Sequence, residues 1–121
     1  MIIKEIRTTR LLAPYVEPPA FKPGFDSPRA LLVVDVEMDN GVVGMGYLMP
    51  LEGGLRTIET CIHEVFVPLL VGQDATRVEW LWKQGWQATY TMGRMGVAVM
   101  ALSALDIALW DALGKLANLP L

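Results

Sequence analysis

The chain has 121 residues, enough for a single domain with its own core. Its hydrophobic content is 53% against 19% charged, which excludes a disordered chain and points to more apolar surface than so small a domain can hide. A net charge of −3 with scattered basic residues excludes a phosphate-backbone binder, and one cysteine with one histidine excludes a disulfide framework or a Cys/His zinc site. Cys61 then reads as a small buried hydrophobe, and a reducing, cytoplasmic setting is expected.

The opening MIIKEIRTTRLL carries Lys4, Glu5, Arg7 and Arg10, so it has no uninterrupted core of a secretory leader. Ile2 to Leu12 reads as extended, although its alternation is poor. Pro14 to Pro28 holds five prolines, which forbids a helix or a central strand, and its Tyr15, Phe21 and Phe25 suit an ordered loop that covers something. A hairpin follows. Val34, Val36 and Met38 alternate with Asp35, Glu37 and Asp39, and Asn40-Gly41 predicts a type I′ turn. The return strand, Val42 to Leu48, has Gly44 and Gly46 on one face, leaving it bare for the approach of a backbone or a ligand.

After residue 54 the period changes to that of helices. Leu55, Ile58, Ile62, Val65 and Leu69 are spaced three and four apart, with Pro68 and Gly72 marking the end. Thr76 and Glu79 are placed as a capping box for a second helix carrying Trp80, Trp82 and Trp86 and fraying near Gly93. A third helix is predicted from Met95 to Leu116, with Asn118 suited to a left-handed cap. The fold class is therefore α+β: a three-stranded, mainly antiparallel sheet followed by a bundle of about three helices.

Few residues carry an obvious chemistry. Asp106 and Asp111 are five positions apart, which turns them about 140° from each other on a helix, so they cannot converge on one metal ion. Asp111 is instead placed for an i, i+4 pair with Lys115, and Asp106, flanked by Leu105 and Ile107, must find a buried hydrogen bond or an interface. His63 reads as part of a solvated helix face. The glycines of GVVGMG lie inside a hairpin strand, so a phosphate loop is rejected, and the tryptophans read as core or interface anchors. The apolar stretch Met92 to Leu113 is broken by Arg94, Asp106 and Asp111, so no membrane span is expected. Ala98, Ala101, Ala104, Ala108 and Ala112 form a ridge that permits close approach, while Val99, Leu102, Leu109, Trp110 and Leu113 lie on the opposite flank. Two apolar flanks require two partners.

NGVVGMGY, VPLLVGQDAT and above all ALSALDIALWDALGKLANLPL, in this order, resemble the N-terminal domain of the mandelate racemase/muconate lactonizing enzyme family of the enolase superfamily. The resemblance implies that residues 1–121 form a capping, substrate-specificity domain, with a catalytic (β/α) barrel absent from this sequence. It implies that this barrel is the close-packed partner of the alanine ridge. It also implies a Mg²⁺-dependent racemase, dehydratase or cycloisomerase that removes a proton α to a carboxylate, the Mg²⁺ and all catalytic groups being held by the barrel. This chain alone is then inactive and supplies no metal ligand. Its part is the wall around a small carboxylate substrate, with Phe21 and Phe25 from the first loop and Met49, Leu51 and Glu52 from the turn after the hairpin. The full-length chain is expected to be a homo-oligomer, with neither nucleic acid nor membrane as partner. The alternative of a different class is a free-standing α+β binding module that dimerises through its last helix.

Overall fold

A computed structural model of the chain describes residues 1–14, 29–50 and 53–120. Strands β1 (Ile3–Ala13), β2 (Arg29–Met38) and β3 (Val43–Leu48) form one antiparallel sheet in the order β1-β2-β3. Leu32, Val34, Val36 and Met38 alternate inward along β2 and are fully buried. The irregular pattern of β1 has a local cause. Ile3 and Ile6 are both buried though three residues apart, and a register shift between Ile3 and Glu5 absorbs the extra residue as a bulge.

The hairpin turn differs from the type I′ expectation. Asn40 does not adopt a positive φ; only Gly41 does, at 83°. The Gly41 amide donates to the Met38 carbonyl (3.0 Å), and the Met38 amide donates to the Val42 carbonyl (2.8 Å). This is a three-residue loop, a type I turn closed by a left-handed glycine bulge, and the Asn40 side chain accepts from the Val42 amide (3.1 Å). Asparagine thus supplies a hydrogen bond, and glycine alone supplies the left-handed conformation.

The first helical rod contains α1 (Leu55–Cys61), a π-helical stretch (Ile62–Phe66) and α2 (Val67–Leu70). Its buried residues are Ile58, Cys61, Ile62, Phe66 and Leu70, so beyond Ile62 the buried stripe sits one residue later than the predicted Val65 and Leu69. The wider π turn causes the slip: the Val67 amide donates to Ile62, five residues back. Pro68 does not stop the rod as expected. It sits in the first turn of α2, where its missing amide is tolerated.

Helix α3 (Val78–Ala88) starts without the predicted capping box. Thr76 turns back to Asp74 instead: its hydroxyl donates to Asp74 Oδ1 at 2.9 Å and its amide does so at 3.0 Å. The same Asp74 oxygen lies 3.6 Å from the chain's amino terminus, which ties the start of β1 to the start of α3. A 3₁₀ turn (Tyr90–Met92) and Gly93 lead to α4 (Val97–Ala117), closed by Asn118 in the left-handed region (φ 55°), as predicted.

Helix α4 lies on the inner face of the sheet, between β3 and the other helices. Ala101, Ala104, Ala108 and Ala112 are fully buried, and the ridge meets β3, not a barrel. A β-carbon built on Gly44 would collide with the Ala108 carbonyl oxygen and the Ala112 methyl, and one on Gly46 with the Ala104 carbonyl oxygen. Bare strand and alanine ridge are therefore each other's partners, which corrects the expectation that the ridge awaits a second domain. The opposite flank is also largely claimed inside the domain, since Leu102 and Leu109 are buried with α3's Leu81 in the same core.

Candidate functional site

The sheet brings the bases of both sequence-assigned loops to one end. Ala13 pairs with Arg29 where β1 ends and β2 begins, and β3 ends nearby at Leu48, opposite Leu32. Of the five proposed wall residues, Phe21, Phe25, Leu51 and Glu52 lie outside the described residues. Met49 follows directly on β3 and is exposed. Past it Gly53 and Gly54 both take positive φ, and the Gly54 carbonyl accepts the Ile58 amide (3.1 Å) to begin α1.

At the same end a cleft of about 630 Å³ opens among the described residues, lined by Thr8, Thr9, Arg10, Leu12, Ala30, Leu55, Arg56 and Glu59. A polar cluster borders it. The Thr8 hydroxyl donates to Glu59 Oε1 (2.9 Å) and meets His63 Nε2 at 2.8 Å, while Arg10 Nε lies 3.2 Å from Glu59 Oε2. With its proton directed to Glu59, the hydroxyl accepts from His63, which assigns the imidazole proton to Nε2. His63 is exposed, as the sequence implied, yet it is also tied to β1. Glu59 and His63 are 51 and 55 residues from Thr8, and the packing of the first helical rod on the sheet joins them. Their donors and acceptors satisfy one another, so the cluster works as a tie between rod and sheet.

The two aspartates of α4 serve different neighbours. Asp111 pairs with Lys115 Nζ at 2.6 Å, as its spacing suggested, and Oδ2 also accepts the Met45 amide at 2.7 Å. Lys115 in turn donates to the Val43 carbonyl at 2.9 Å. The pair thereby occupies outward-facing backbone groups of β3, an edge strand whose open groups would otherwise seek another chain. Burial pushes the Asp111 carboxyl upward, but the hydrogen bonds from Lys115 and Met45 outweigh it and hold the group below the usual carboxylate range.

Asp106 is half-buried on the α3 side of the helix, against a small apolar pocket formed with Leu70, Leu81, Trp82, Leu102, Leu105 and Leu109. Among the described residues no hydrogen bond or ion pair reaches its carboxylate. Burial alone raises its pKa above the ordinary value. The helix geometry that separates the two aspartates in the sequence thus sends one to the sheet edge and the other to the helix seam.

The tryptophans anchor that seam. Trp82 and Trp86 stack with ring centroids 6.4 Å apart. Arg77 lies over Trp80 at 4.2 Å, and Arg94 lies over Trp86 at 5.4 Å and Tyr90 at 5.0 Å. By length and composition alone α4 could cross a membrane; in this fold eight of its residues are buried in the domain core. Among the described residues no three His, Cys, Asp or Glu side chains assemble into a set that could hold a metal ion. The donors among the described residues do not fit a Mg²⁺ site.

Comparison with known proteins places this geometry. The sequence model of the mandelate racemase / muconate lactonizing enzyme N-terminal domain matches residues 7–121. Arabinonate dehydratase of Saccharolobus solfataricus is 32% identical over 99% of this chain, and 3,6-anhydro-alpha-L-galactonate cycloisomerase of Streptomyces coelicolor is 36% identical over 75% of it. Among solved structures, a racemase from Streptomyces coelicolor A3(2) with bound magnesium superposes on 96% of the chain with a TM-score of 0.84 at 30% identity. The chain spans only 33%, 25% and 33% of the lengths of these three proteins, respectively. It belongs to the mandelate racemase/muconate lactonizing enzyme family, within the enolase superfamily, and corresponds to the N-terminal domain.

Proposed function

We propose that the chain is the substrate-selecting cap of a soluble, Mg²⁺-dependent enzyme that abstracts a proton α to a carboxylate, with the catalytic groups and the metal on a following barrel. The observation that carries this reading is the meeting of two loop bases, at Ala13/Arg29 and at Met49–Pro50, on one end of a single sheet beside an open cleft. A cap needs that arrangement, because loops held by a rigid scaffold can close over a neighbouring site while the chemistry stays elsewhere. Phe21, Phe25, Met49 and Leu51 are the proposed apolar wall, and Glu52 is the proposed reader of a hydroxyl or amine.

Two relatives are named for sugar acids, arabinonate and 3,6-anhydro-galactonate, so a small sugar-derived carboxylate is the substrate class to try first. The test is an NMR experiment in deuterated water on the full-length protein with a panel of such acids. The expected result is Mg²⁺-dependent loss or exchange of the α-proton, abolished by chelation and restored by Mg²⁺. Turnover that survives chelation, or turnover by the 121-residue chain alone, would overturn the reading.

A further inference from the structure

The cationic side chains of the described residues are nearly all engaged. Lys4 and Arg7 pair with Glu37, Arg10 with Glu59 and Lys115 with Asp111, while Arg77 and Arg94 lie over aromatic rings. Arg29 also has a partner. Among the described residues that leaves Lys83, exposed on α3, and Arg56, which lines the cleft of about 630 Å³ at the loop bases. A partner for Arg56 is close in sequence: Glu59 sits at i+3 on α1, the spacing of a helical ion pair. Glu59 is instead held from the sheet, where the Thr8 hydroxyl donates to Oε1 (2.9 Å) and Arg10 Nε lies 3.2 Å from Oε2. The cleft lining thus carries Arg10, Arg56 and Glu59, a surplus of one positive charge in a chain whose net charge is −3. Leu12, Ala30 and Leu55 supply the apolar part of the same lining, and a charge pair formed against them is screened less than one in open water.

We propose that the substrate carries a second acidic group, distal to the carboxylate whose α-proton is removed, and that Arg56 receives it in this cleft. The proposal rests on the capping reading above. In that reading the reacting carboxylate is held by the barrel, so a cation on the cap answers charge at the substrate's other end. A guanidinium matches a carboxylate or a phosphate through two parallel hydrogen bonds, whereas a sugar hydroxyl does not call for a full positive charge. The position of Arg56 agrees. It stands in the first turn of α1, two residues past Gly54, so the helix holds it directly behind the turn that carries Met49. The substrate class is therefore a sugar-derived acid with two anionic ends. That separates this chain from the relatives named for arabinonate and 3,6-anhydro-galactonate, which have one acidic end each.

The test is steady-state kinetics of the full-length protein with Mg²⁺ on matched sugar acids. Each set holds an aldonic acid, the aldaric acid of the same configuration, and the terminal phosphate ester of the aldonic acid. The diacid or the phosphate ester should show a kcat/KM about tenfold or more above that of the monoacid, and the better of the two identifies the group that Arg56 receives. Arg56→Met keeps the stem and removes the charge. It should lower kcat/KM for that substrate about 10- to 100-fold, chiefly through KM, and leave the monoacid within about twofold. Arg56→Lys should retain part of the preference, and Arg56→Glu should reverse it. Arg56 is exposed and has no partner among the described residues, so each variant should melt at the wild-type temperature. A wild type that prefers the monoacid would overturn the proposal. So would an Arg56→Met variant that weakens all three acids alike, the result expected if Arg56 only neutralised Glu52, which lies outside the described residues. No turnover of any acid, or turnover that survives chelation, would instead remove the capping reading itself, so the two failures are told apart.

Discussion

At the residue scale, Gly44 and Gly46 show how a missing side chain can decide a fold. Their Cβ positions are taken by the carbonyl oxygens of Ala108 and Ala104, so strand and helix meet backbone to backbone. Gly44→Ala should therefore destabilise the domain by about 2–3 kcal/mol, the scale of overpacking, and chemical denaturation reads it directly. Gly41→Ala meets no neighbour but must hold a left-handed backbone, and should cost only about 1 kcal/mol in the same assay. Asp106 offers a prediction with a sign. Its folded-state pKa is raised by burial, so the acid form is favoured in the folded domain. Stability from this group is present below the ordinary carboxylate pKa and is lost as the pH rises through the folded value. Asp106→Asn should accordingly stabilise the isolated 121-residue chain at neutral pH, with the gain disappearing in acid. The two glycines and the alanine ridge were legible in the sequence as bare surfaces, but their pairing was not. Each surface announces that something comes close without saying what.

At the element scale, β3 depends on α4 for more than packing. Asp111 and Lys115 hold the Met45 amide and the Val43 carbonyl on its outer edge. Asp111→Ala leaves both the strand amide and the lysine without their acceptor, and should cost about 1–2 kcal/mol at neutral pH. Here the pH sign is opposite to that of Asp106. The folded pKa is depressed, so the contribution is present above the ordinary carboxylate value and is lost as pH falls through the folded one. Urea titrations of wild type and variant should therefore converge in acid. The helical spacing displayed the ion pair, since i, i+4 is a local relation. Capture of a strand edge 66 residues away is not local, and no sequence pattern carries it. The same limit explains the other misreadings. Thr76 and Glu79 satisfy the capping pattern, but Asp74, held near the amino terminus, takes the Thr76 hydroxyl. Pro68 breaks an ideal α-helix, but the π turn before it moves the chain into a register that admits proline. Strand and helix identity came from alternation and period; cap, turn type and buried face came from competition between neighbours in space.

At the scale of the whole molecule, a three-stranded sheet and its helices make a self-sufficient core, while the two loop bases and one helix seam point outward. The order of elements and the terminal ALSALDIALWDALGKLANLPL made the family legible from sequence alone, because that motif encodes both the ridge that meets β3 and the aspartate that latches it. The proposed wall residues rest only on position along the chain. Phe21, Phe25, Leu51 and Glu52 belong to segments with no periodic pattern, and nothing local fixes where such side chains point. The proposed cap, which selects substrate without reacting, would be a piece of a larger enzyme. The intact mass of the polypeptide purified from its natural source tests it most directly. Since the chain spans 33% of the arabinonate dehydratase it resembles, the expected mass is about three times 13.4 kDa. A homogeneous species of 13.4 kDa would contradict the capping role.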